Sequence, residues 1–485
     1  MSASQHVHIA ILGAGFSGVG AAIRLLQSGV RDFVVFERAD EVGGVWRDNE
    51  YPGCACDVEA PLYSFSFAPN PRWSRLFAPQ PEIWAYLRRC VDEHGVRPHL
   101  RLGHAIESVR WDEDRKRWTI ASSRGSFTAD VVIAGTGALS EPIIPALPGR
   151  ERFAGKAFHS AHWDHEHALE GRRVAVVGTG ASAIQIVPNI QPKLGKLLLF
   201  QRTPAWVVPR FDREFGPRVQ QLFETLPISQ KLLRAGLYVR HESLLVGFRN
   251  PAIMQLIERR VLRYLAHVVH DEPLRQRLTP DFRLGCKRVL VSSDYLPALT
   301  RPNVEVVASA VRELVPEGLI DEQGRTHEVD TIVFATGFRV TDQPFSAHVH
   351  GRDGQTLAEV WRGSPQAYLG TMISGFPNFF LMTGPNTGLG HSSMLLMIEA
   401  QLELVLGALR ELDERGTRTI EPKPEVQRRF VDEIQRGGAG TVWTAGGCQS
   451  WYLDATGRNS TLWPWSTWAY MRRAKFEREA YLLSR

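Results

Sequence analysis

Short apolar runs that end in small-residue turns recur along the chain and divide it into two similar units. Residues 8–18 are HIAILGAGFSG and residues 172–183 are RRVAVVGTGASA, and apolar positions at helical spacing follow each turn. Each unit closes on a second run, ADVVIAGTG at residues 129–137 and VDTIVFATG at residues 329–337. Apolar runs bounded by such turns are typical of strands buried in a parallel sheet. The pattern predicts an α/β fold with two Rossmann-like units.

The first unit has the glycine spacing of a dinucleotide-binding loop. Gly13 permits a tight turn, Gly15 lets the backbone approach a pyrophosphate, and Gly18 permits close packing of helix on strand. Glu37 follows the next apolar run, where a carboxylate can accept hydrogen bonds from a ribose hydroxyl. A strand before the loop, a helix after it and this acidic residue together favour nucleotide binding over a chance glycine turn.

The second unit has a related loop, Gly178-x-Gly180-x-x-Ala183, but a different residue at the ribose end. Arg202 lies 19 residues after Ala183, the same spacing that separates Glu37 from the third glycine of the first loop. We therefore expect one structural position to carry opposite charges in the two units. Arginine binds a 2′-phosphate through charge-assisted hydrogen bonds, whereas glutamate repels it. The sequence predicts two different dinucleotides, the second of them NADP.

Composition excludes several other classes of protein. The chain has 485 residues, 44% of them hydrophobic and 22% charged, as in an ordinary soluble protein of two or three domains. The formal charge of +5 is spread along the chain, so we expect no nucleic-acid partner. No window of about 18 uninterrupted apolar residues exists, so we expect no membrane association and a cytoplasmic location. The apolar N-terminus is better explained by a nucleotide-binding strand than by a signal peptide.

The cysteines give little indication of redox chemistry. There are five, and the one close pair is Cys54 and Cys56 in a loop-like stretch. We expect reduced thiols without a special role, with a redox-active dithiol as the alternative.

A more specific pattern, here called the linker motif, lies between the two units at residues 153–164. It has Phe153, Gly155, His159 and Trp163, followed by Asp164. It resembles the FxGxxxHxxxW motif of the type I Baeyer–Villiger monooxygenases, which are class B flavoprotein monooxygenases dependent on FAD and NADPH. The related flavin-containing monooxygenases differ at the final aromatic position. The resemblance extends from His8 to about Trp465, and it implies that His159 is structural rather than a general base.

Two further stretches are similar to functional loops of that family. Residues 43–63, GGVWRDNEYPGCACDVEAPLY, resemble its flavin loop, and residues 281–295, DFRLGCKRVLVSSDY, resemble its Lys-Arg loop. The resemblance implies that Arg288 is the catalytic arginine and Asp57 its carboxylate partner. It also implies that Lys287 is a second ligand of the NADP phosphate, although an ordinary solvated Lys-Arg pair is the alternative.

The same resemblance implies two sets of cofactor contacts. For FAD they are Gly13, Gly15, Gly18, Glu37, Val45, Trp46, Asp57, Tyr63, Ile106 and Met394. For NADPH they are Gly178, Gly180, Ser182, Ala183, Gln185, Arg202, Thr203, Lys287, Arg288 and Trp451. Met394 would contact the flavin ring, with core packing as the alternative. Trp451 resembles the mobile-loop tryptophan that closes over the nicotinamide cofactor.

The resemblance also implies a domain order. We expect an FAD-binding domain at residues 1–148, an NADP-binding domain at 149–338, and completion of the FAD-binding domain at 339–485. Apolar positions at helical spacing predict a helical insertion at about 212–275 within the NADP-binding domain. The aromatic and arginine-rich tail predicts a packed C-terminal helix, with a membrane-surface role as the alternative.

The implied reaction inserts one oxygen atom of dioxygen next to a ketone carbonyl, giving an ester or lactone through a flavin C4a-peroxide. A cation about 4 Å from the peroxide contributes roughly 4 kcal/mol at an effective dielectric near 20. That is enough to lower the peroxide pKa by about 3 units. Arginine suits this role because it stays protonated at working pH.

Two other functions are alternatives. One is a flavin monooxygenase that oxygenates sulfur or nitrogen, which a charged Arg288 disfavours because soft nucleophiles need the neutral hydroperoxide. The other is a non-catalytic NADP-sensing protein.

The resemblance does not extend to substrate specificity. Residues 448–465, CQSWYLDATGRNSTLWPW, depart from the pattern of the cyclohexanone-oxidising members of the family, and Ala55 stands where many members have arginine. Linear, cyclic and aryl ketones stay open as substrates, since one methylene is worth only about 1–3 kcal/mol. The oligomeric state is also open.

Overall fold

The structure is a computed structural model that describes residues 5–484. Its strands are β1 Gln5–Leu12, β2 Phe33–Phe36, β3 Leu100–Arg101, β4 Ile106–Asp112, β5 Arg117–Ser122, β6 Gly125–Ala134, β7 Lys156–His159, β8 Arg173–Val177, β9 Lys196–Phe200, β10 Val207–Val208, β11 Leu290–Val291, β12 Val304–Val307, β13 Val311–Val315, β14 Gly318–Asp321, β15 Thr326–Glu328, β16 Thr331–Phe334, β17 Val349–His350, β18 Phe379–Leu381, β19 Thr419–Pro422 and β20 Tyr481–Ser484. Its α-helices are α1 Phe16–Gln27, α2 Val45–Asp48, α3 Gln80–Glu93, α4 Ala183–Ile190, α5 Pro217–Thr225, α6 Pro227–Arg249, α7 Pro251–Val268, α8 Glu272–Leu278, α9 Tyr295–Leu299, α10 Leu357–Trp361, α11 Met394–Arg415, α12 Pro424–Gly438, α13 Val442–Ala445 and α14 Thr467–Arg473.

The larger sheet has the strand order β17-β4-β5-β6-β1-β2-β3, and β18 pairs with β6. The pairs β6-β1, β1-β2 and β2-β3 are parallel, whereas β4, β5 and β6 form an antiparallel meander. Ile9 and Ile11 of β1 belong to one buried apolar cluster with Val19 of α1 and Leu402 of α11. The first glycine loop therefore leaves the carboxyl end of a central parallel strand, where open α/β sheets bind ligands.

The second sheet is entirely parallel, with the order β12-β9-β8-β16-β7. Its central strand β8 leads into the second glycine loop and α4. The helices α5 to α8 follow β9 in the chain, close to the predicted helical insertion at 212–275. The prediction of an α/β fold with two Rossmann-like units is confirmed.

The chain returns to the first sheet after completing the second. β18 lies beside β6 in parallel, with Phe379 opposite Val132, and β17 pairs with β4. These pairings fit a second unit inserted into the first, while the divisions at residues 148 and 338 stay predictions. Within residues 5–484 no helix is long and apolar enough to cross a membrane.

The C-terminal tail is only partly the helix that the sequence predicts. α14 ends at Arg473, and β20 then pairs antiparallel with β19. Tyr481, which is 3% exposed, lies opposite Pro422, and Ser484 lies opposite Thr419. Pairing with β19 gives the backbone of these residues hydrogen-bond partners, which explains the strand.

Candidate active site and nucleotide-binding loops

The first glycine loop has no room for side chains at two of its positions. A methyl group on Gly18 would lie 1.8 Å from the carbonyl oxygen of Gly13, and one on Gly13 would lie 2.7 Å from that of Gly135. Gly13 also has a φ of 94°, a conformation that favours glycine. Gly15 faces Gly44, whose Cα would be 3.7 Å from an added methyl group. The loop therefore presents bare backbone at the N-terminus of α1, which suits a pyrophosphate.

Glu37 lies directly after β2 and is 5% exposed. Its Oε2 accepts a hydrogen bond from the Ala14 amide at 2.9 Å, and its Oε1 accepts one from the Ala39 amide at 3.0 Å. The Arg47 guanidinium donates to the same Oε1 at 3.2 Å. The carboxylate is thus fixed beside the glycine loop, and of its roughly four lone-pair sites one is left, on Oε2, for a ribose hydroxyl.

The two units differ by one residue in the length of chain between the glycine loop and the end of the strand that follows it. The last residue of β1 pairs with Phe36, and the last residue of β8 pairs with Phe200. Phe36 follows Gly18 by 18 residues, whereas Phe200 follows Ala183 by 17. The connection from the loop to the strand end is therefore one residue shorter in the second unit.

The predicted equivalence of Glu37 and Arg202 is accordingly wrong. Glu37 matches Gln201, which is 2% exposed and whose Nε2 donates to the carbonyl of Arg277 at 2.7 Å. Arg202 matches Arg38, the residue after Glu37. Arg202 is exposed, so a guanidinium, though not at the glutamate position, is available at the edge of the second site.

Arg202 lies close to Lys287. Burial lowers the pKa of Lys287, and the positive charge of Arg202 lowers it further, while Asp281 offsets part of the effect. The Lys287 ammonium lies 4.9 Å from the centre of the Phe282 ring. Two cations held this close repel each other, and a bound phosphate would relieve the repulsion.

Arg288 and Asp57, which are far apart in sequence, form a two-contact ion pair. The Nε of Arg288 donates to Asp57 Oδ2 at 2.8 Å, and its Nη2 lies 2.6 Å from the same oxygen. The charge of Asp57 raises the pKa of Arg288 above its ordinary value and outweighs the opposing effect of burial. About a third of the guanidinium side chain stays exposed, so the cation can act on a bound molecule.

Tyr452 is a neighbour of Arg288 that the sequence analysis missed. It is 1% exposed, and burial raises its pKa to about 12, with Arg288 acting in the opposite direction. Its hydroxyl has no hydrogen-bond partner within residues 5–484. Trp451, the predicted cofactor contact, is 44% exposed and packs edge-on against Tyr452 at 4.5 Å. The exposed tryptophan is thus anchored beside the Arg288 pair.

Aromatic side chains of the flavin loop lie next to the first glycine loop. Val45 begins α2, and the indole nitrogen of Trp46 donates to the Tyr63 hydroxyl at 3.0 Å. Tyr63 packs edge-on against Phe16, the first residue of α1, with ring centres 5.4 Å apart. The predicted residues of this loop therefore lie together at the start of α1.

Gln185 of α4 links the second unit to the flavin loop. Its Oε1 accepts from the Tyr51 hydroxyl at 3.0 Å, and its Nε2 donates to the carbonyl of Ala55 at 2.9 Å. Ala55 therefore contributes its backbone carbonyl to this link. Ser182 is the N-cap residue of α4 and makes no capping bond with its side chain. Whether Gln185 also contacts NADP stays a prediction.

The linker motif is a packing unit at the edge of the second sheet. A methyl group on Gly155 would lie 2.4 Å from the carbonyl oxygen of Asp330 and 2.6 Å from the Phe153 ring. His159 is 1% exposed, and burial lowers its pKa to about 4. Trp163 packs edge-on against the phenyl ring before His159 at 5.2 Å. A buried neutral imidazole fits the structural role that the sequence implies for His159.

Three other predicted residues begin or flank elements of secondary structure or contact the second glycine loop. Met394 is the first residue of α11, and Ile106 is the first residue of β4. Both are half-buried and pack against apolar clusters. The carbonyl of Thr203 accepts from the hydroxyl of Thr179 in the second glycine loop at 3.1 Å.

Two of the cysteines are bonded, which corrects the expectation of free thiols. Cys286 and Cys448 form a disulfide, with their Cα atoms 6.1 Å apart. It joins the residue before Lys287 to the segment that carries Trp451 and Tyr452. Their separation of 162 residues gives no spacing signal in the sequence. Cys54, Cys56 and Cys90 are free and buried.

The residues present fit the two predicted nucleotides. The crowded backbone at Gly13 and Gly18 leaves the start of α1 bare for a pyrophosphate, with the Glu37 carboxylate at its side. In the second unit, among residues 5–484 and apart from the two chain neighbours, no atom lies within 4 Å of a methyl group added to Gly180, so the loop is open. Thr203, which follows Arg202, accepts a hydrogen bond from Thr179 of that loop, and the neighbouring cations of Arg202 and Lys287 suit a phosphate group.

The chain also matches known proteins along most of its length. The model of the family described as flavin-binding monooxygenase-like matches residues 6–350. A Baeyer–Villiger monooxygenase of Streptomyces coelicolor is 51% identical over 97% of this chain and 91% of its own length. One of Pseudomonas aeruginosa is 46% identical over 100% of this chain and 92% of its own length.

Solved structures agree with these relatives. An oxidised steroid monooxygenase bound to NADP has 29% identity and a TM-score of 0.87, with 99% of this chain and 100% of that chain covered. A cyclohexanone monooxygenase from Rhodococcus sp. Phi1 bound to NADP+ has 26% identity and a TM-score of 0.88, with the same coverage. The predictions of a monooxygenase with FAD and NADP as its cofactors are confirmed. The chain belongs to the flavin-binding monooxygenase-like family and, within it, to the Baeyer–Villiger monooxygenases.

Proposed function

We propose that this enzyme converts a ketone to an ester or lactone, with consumption of NADPH and dioxygen. The overall reaction takes a ketone, O2, NADPH and a proton to the ester, water and NADP+. The observation that carries the proposal is the ion pair, at 2.8 and 2.6 Å, of Arg288 with Asp57 of the flavin loop. Cytoplasmic location and the absence of membrane association stay predictions.

FAD, reduced by NADPH, supplies the activated oxygen when both cofactors are bound. We assign the FAD contacts to Gly13, Gly15, Gly18, Glu37, Val45, Trp46, Asp57, Tyr63, Ile106 and Met394. We assign the NADPH contacts to Gly178, Gly180, Ser182, Ala183, Gln185, Arg202, Thr203, Lys287, Arg288 and Trp451. The crowded backbone of the first loop and the paired cations of the second support these assignments.

Arg288 supplies a fixed positive charge to the reacting groups. Addition of an oxygen nucleophile to a ketone places negative charge on the carbonyl oxygen, and a preorganised cation stabilises it. Asp57 raises the pKa of Arg288, so the guanidinium stays charged throughout the working pH range. Asp57 binds two guanidinium nitrogens through one oxygen and so limits the positions that the cation can take.

Product analysis tests the proposal. Purified holoenzyme receives NADPH, air and a panel of linear, cyclic and aryl ketones with one thioether. We expect esters or lactones with one added oxygen. Arg288→Ala should retain FAD and form no ester, and Arg288→Lys should keep only part of the activity because lysine cannot make both contacts to Asp57.

Other products would contradict the proposal. Sulfoxide as the sole product, or hydrogen peroxide in place of ester with every ketone, would make this a sulfur- or nitrogen-oxygenating enzyme or an oxidase. Ester formation by Arg288→Ala at the rate of the unaltered enzyme would remove Arg288 from the mechanism. Colourless protein would favour the NADP-sensing alternative.

A further inference from the structure

Helix α6 of the helical insertion contacts two segments that carry proposed site residues. Three of its consecutive residues, Arg240, His241 and Glu242, make these contacts. One segment follows Asp57, and the other precedes Met394. Neither the linker motif nor the glycine loops involve α6, so these contacts have no role in the function described so far.

The first contact fixes the chain just after Asp57. Glu59 is 1% exposed, and its Oε2 lies 2.6 Å from Nε2 of His241. Arg240 pairs with the other carboxylate oxygen of Glu59. Farther along the same segment, Arg234 of α6 donates to the carbonyls of Pro61 at 2.6 Å and Ser64 at 2.9 Å. The position of the Asp57 segment thus depends on α6.

The second contact fixes the loop before Met394. Nδ1 of His241 lies 2.6 Å from the carbonyl oxygen of His391, and Oε1 of Glu242 lies 3.4 Å from Nε2 of the same histidine. His391 is 4% exposed and precedes Met394 by three residues. Glu242 is itself held by the Thr467 hydroxyl at 2.6 Å. The backbone carbonyl of His391 is therefore bonded to α6, and its imidazole lies beside Glu242 without a hydrogen bond among residues 5–484.

The imidazole of His241 can bridge the two segments only by using both nitrogens. A carbonyl oxygen accepts hydrogen bonds and does not donate them, so Nδ1 of His241 carries a hydrogen. At Nε2 a proton lies between imidazole and the Glu59 carboxylate, which also faces the Arg240 guanidinium. Burial and the charge of Arg240 lower the pKa of His241, and its hydrogen bond to the His391 carbonyl acts in the opposite direction.

We propose that His241 is a positioning residue, which holds the Asp57 segment and the loop before Met394 in fixed relation through its bridge from Glu59 to the carbonyl of His391. The consequence for the reaction rests on the proposed function. Arg288 acts on the reacting atoms only while Asp57 and the loop before Met394 keep their relative positions. Without the bridge, NADPH consumption should yield hydrogen peroxide in place of ester.

Two variants separate the halves of the bridge. In His241→Asn the amide nitrogen can take the place of Nδ1 and keep the bond to the His391 carbonyl. In His241→Gln the amide nitrogen can take the place of Nε2 and keep the bond to Glu59. Gln230→Ala is the matched control, because Gln230 is a buried α6 residue whose Nε2 donates to the carbonyl of Asn70 at 2.6 Å without touching His391.

Hydrogen exchange of the holoenzymes, read by mass spectrometry, measures the bridge without reference to turnover. A lost buried hydrogen bond should speed exchange by roughly fivefold. We expect His241→Gln to speed exchange in residues 384–393, His241→Asn to speed it in residues 57–64, and Gln230→Ala to leave 384–393 unchanged. Unchanged exchange of both segments in both His241 variants would overturn the proposal.

A second measurement connects the bridge to the reaction. The fraction of NADPH electrons that end in hydrogen peroxide should rise several-fold in both His241 variants and stay unchanged in Gln230→Ala. An equal rise in all three would show a merely structural role and overturn the positioning role. If the unaltered enzyme forms no ester, the proposed function fails, but the exchange data still decide whether His241 joins the two segments.

Discussion

The ends of β2 and β9 occupy matching positions in the two units, yet the charged residues that follow them differ in sign and in burial. After β2, the Glu37 carboxylate is 5% exposed and takes hydrogen bonds from two backbone amides and from Arg47. After β9, the matching Gln201 is neutral, and Arg202 is exposed beside a second cation, Lys287. The negative charge of Glu37 is paired within the protein, whereas the positive charges of Arg202 and Lys287 are offset only in part, by Asp281.

The difference indicates how each nucleotide is held. A buried carboxylate with protein donors keeps its position whether or not a ligand is present, as suits a cofactor that stays bound through many turnovers. Repulsion between two neighbouring cations raises the free energy of the unliganded protein, and a bound anion removes this repulsion. Such a site suits a cofactor that enters and leaves in each turnover, as NADPH does when it serves as a reductant.

The largest expected effect concerns the first loop. Gly18→Ala should yield protein without stoichiometric flavin and with a lower melting temperature, because the new methyl group would lie 1.8 Å from the carbonyl oxygen of Gly13. Gly180→Ala should stay folded and yellow, because in the described part of the chain no atom beyond its two chain neighbours lies within 4 Å of the new methyl group. The ratio of flavin absorbance to protein and thermal unfolding test both. A Gly18→Ala protein that retains full flavin would show that the first loop is as open as the second.

The next effect concerns cofactor choice at the second loop. Arg202→Ala should raise the KM for NADPH roughly 10- to 100-fold while changing the KM for NADH little, since one charge-assisted hydrogen bond is worth about 1.5–3 kcal/mol. Steady-state kinetics with each cofactor provide the measurement. Equal changes for both cofactors would refute the assignment of Arg202 to the 2′-phosphate.

Arg38 offers a matched control for that experiment. It occupies the position after β2 that Arg202 occupies after β9, but its Nη1 donates to Glu141 at 2.8 Å. Arg38→Ala should therefore leave the ratio of the two KM values unchanged. A changed ratio would mean that surface charge in general, rather than the second site, determines the preference for NADPH.

The sequence predicts those parts of the fold and the site that depend on local chemistry. Gly13 and Gly18 are recognisable because a tight turn and close packing of helix on strand need glycine at those positions. The ion pair of Arg288 with Asp57 spans 231 residues, and only the resemblance to a family pointed to it. The one-residue shift of Arg202 was missed because equal spacing does not reveal where a helix ends and a strand begins.

Features that arise from long-range packing had no signal in the sequence. Glu59 and His241 look like ordinary solvated residues until the fold buries them against each other, 182 residues apart. Tyr452 lies next to the predicted Trp451, but only its burial against Arg288 marks it as part of the site. Side chains such as these gain their roles from neighbours that the chain supplies from elsewhere, so no pattern of spacing predicts them.

The smallest expected effect is the pH dependence of the second site. Burial and the charge of Arg202 lower the pKa of Lys287. Its ammonium therefore loses its proton at a lower pH than an ordinary lysine, whose pKa is about 10.4. The 2′-phosphate keeps its charge at alkaline pH, because its second pKa is about 6. Thus kcat/KM for NADPH, which reports groups of the free enzyme, should fall as pH rises through the lowered pKa of Lys287.

Removal of Arg202 should move that fall to higher pH. Arg202→Ala removes the repulsion but not the burial, so the pKa of Lys287 should rise only part of the way to its ordinary value. Lys287→Met should abolish this alkaline fall, and profiles of kcat/KM against pH for the three proteins provide the measurement. An identical fall in Lys287→Met would assign the titration to another group. An unmoved fall in Arg202→Ala would show that the two cations do not share one phosphate site, and the contrast with the self-compensated Glu37 would then rest on Arg202 alone.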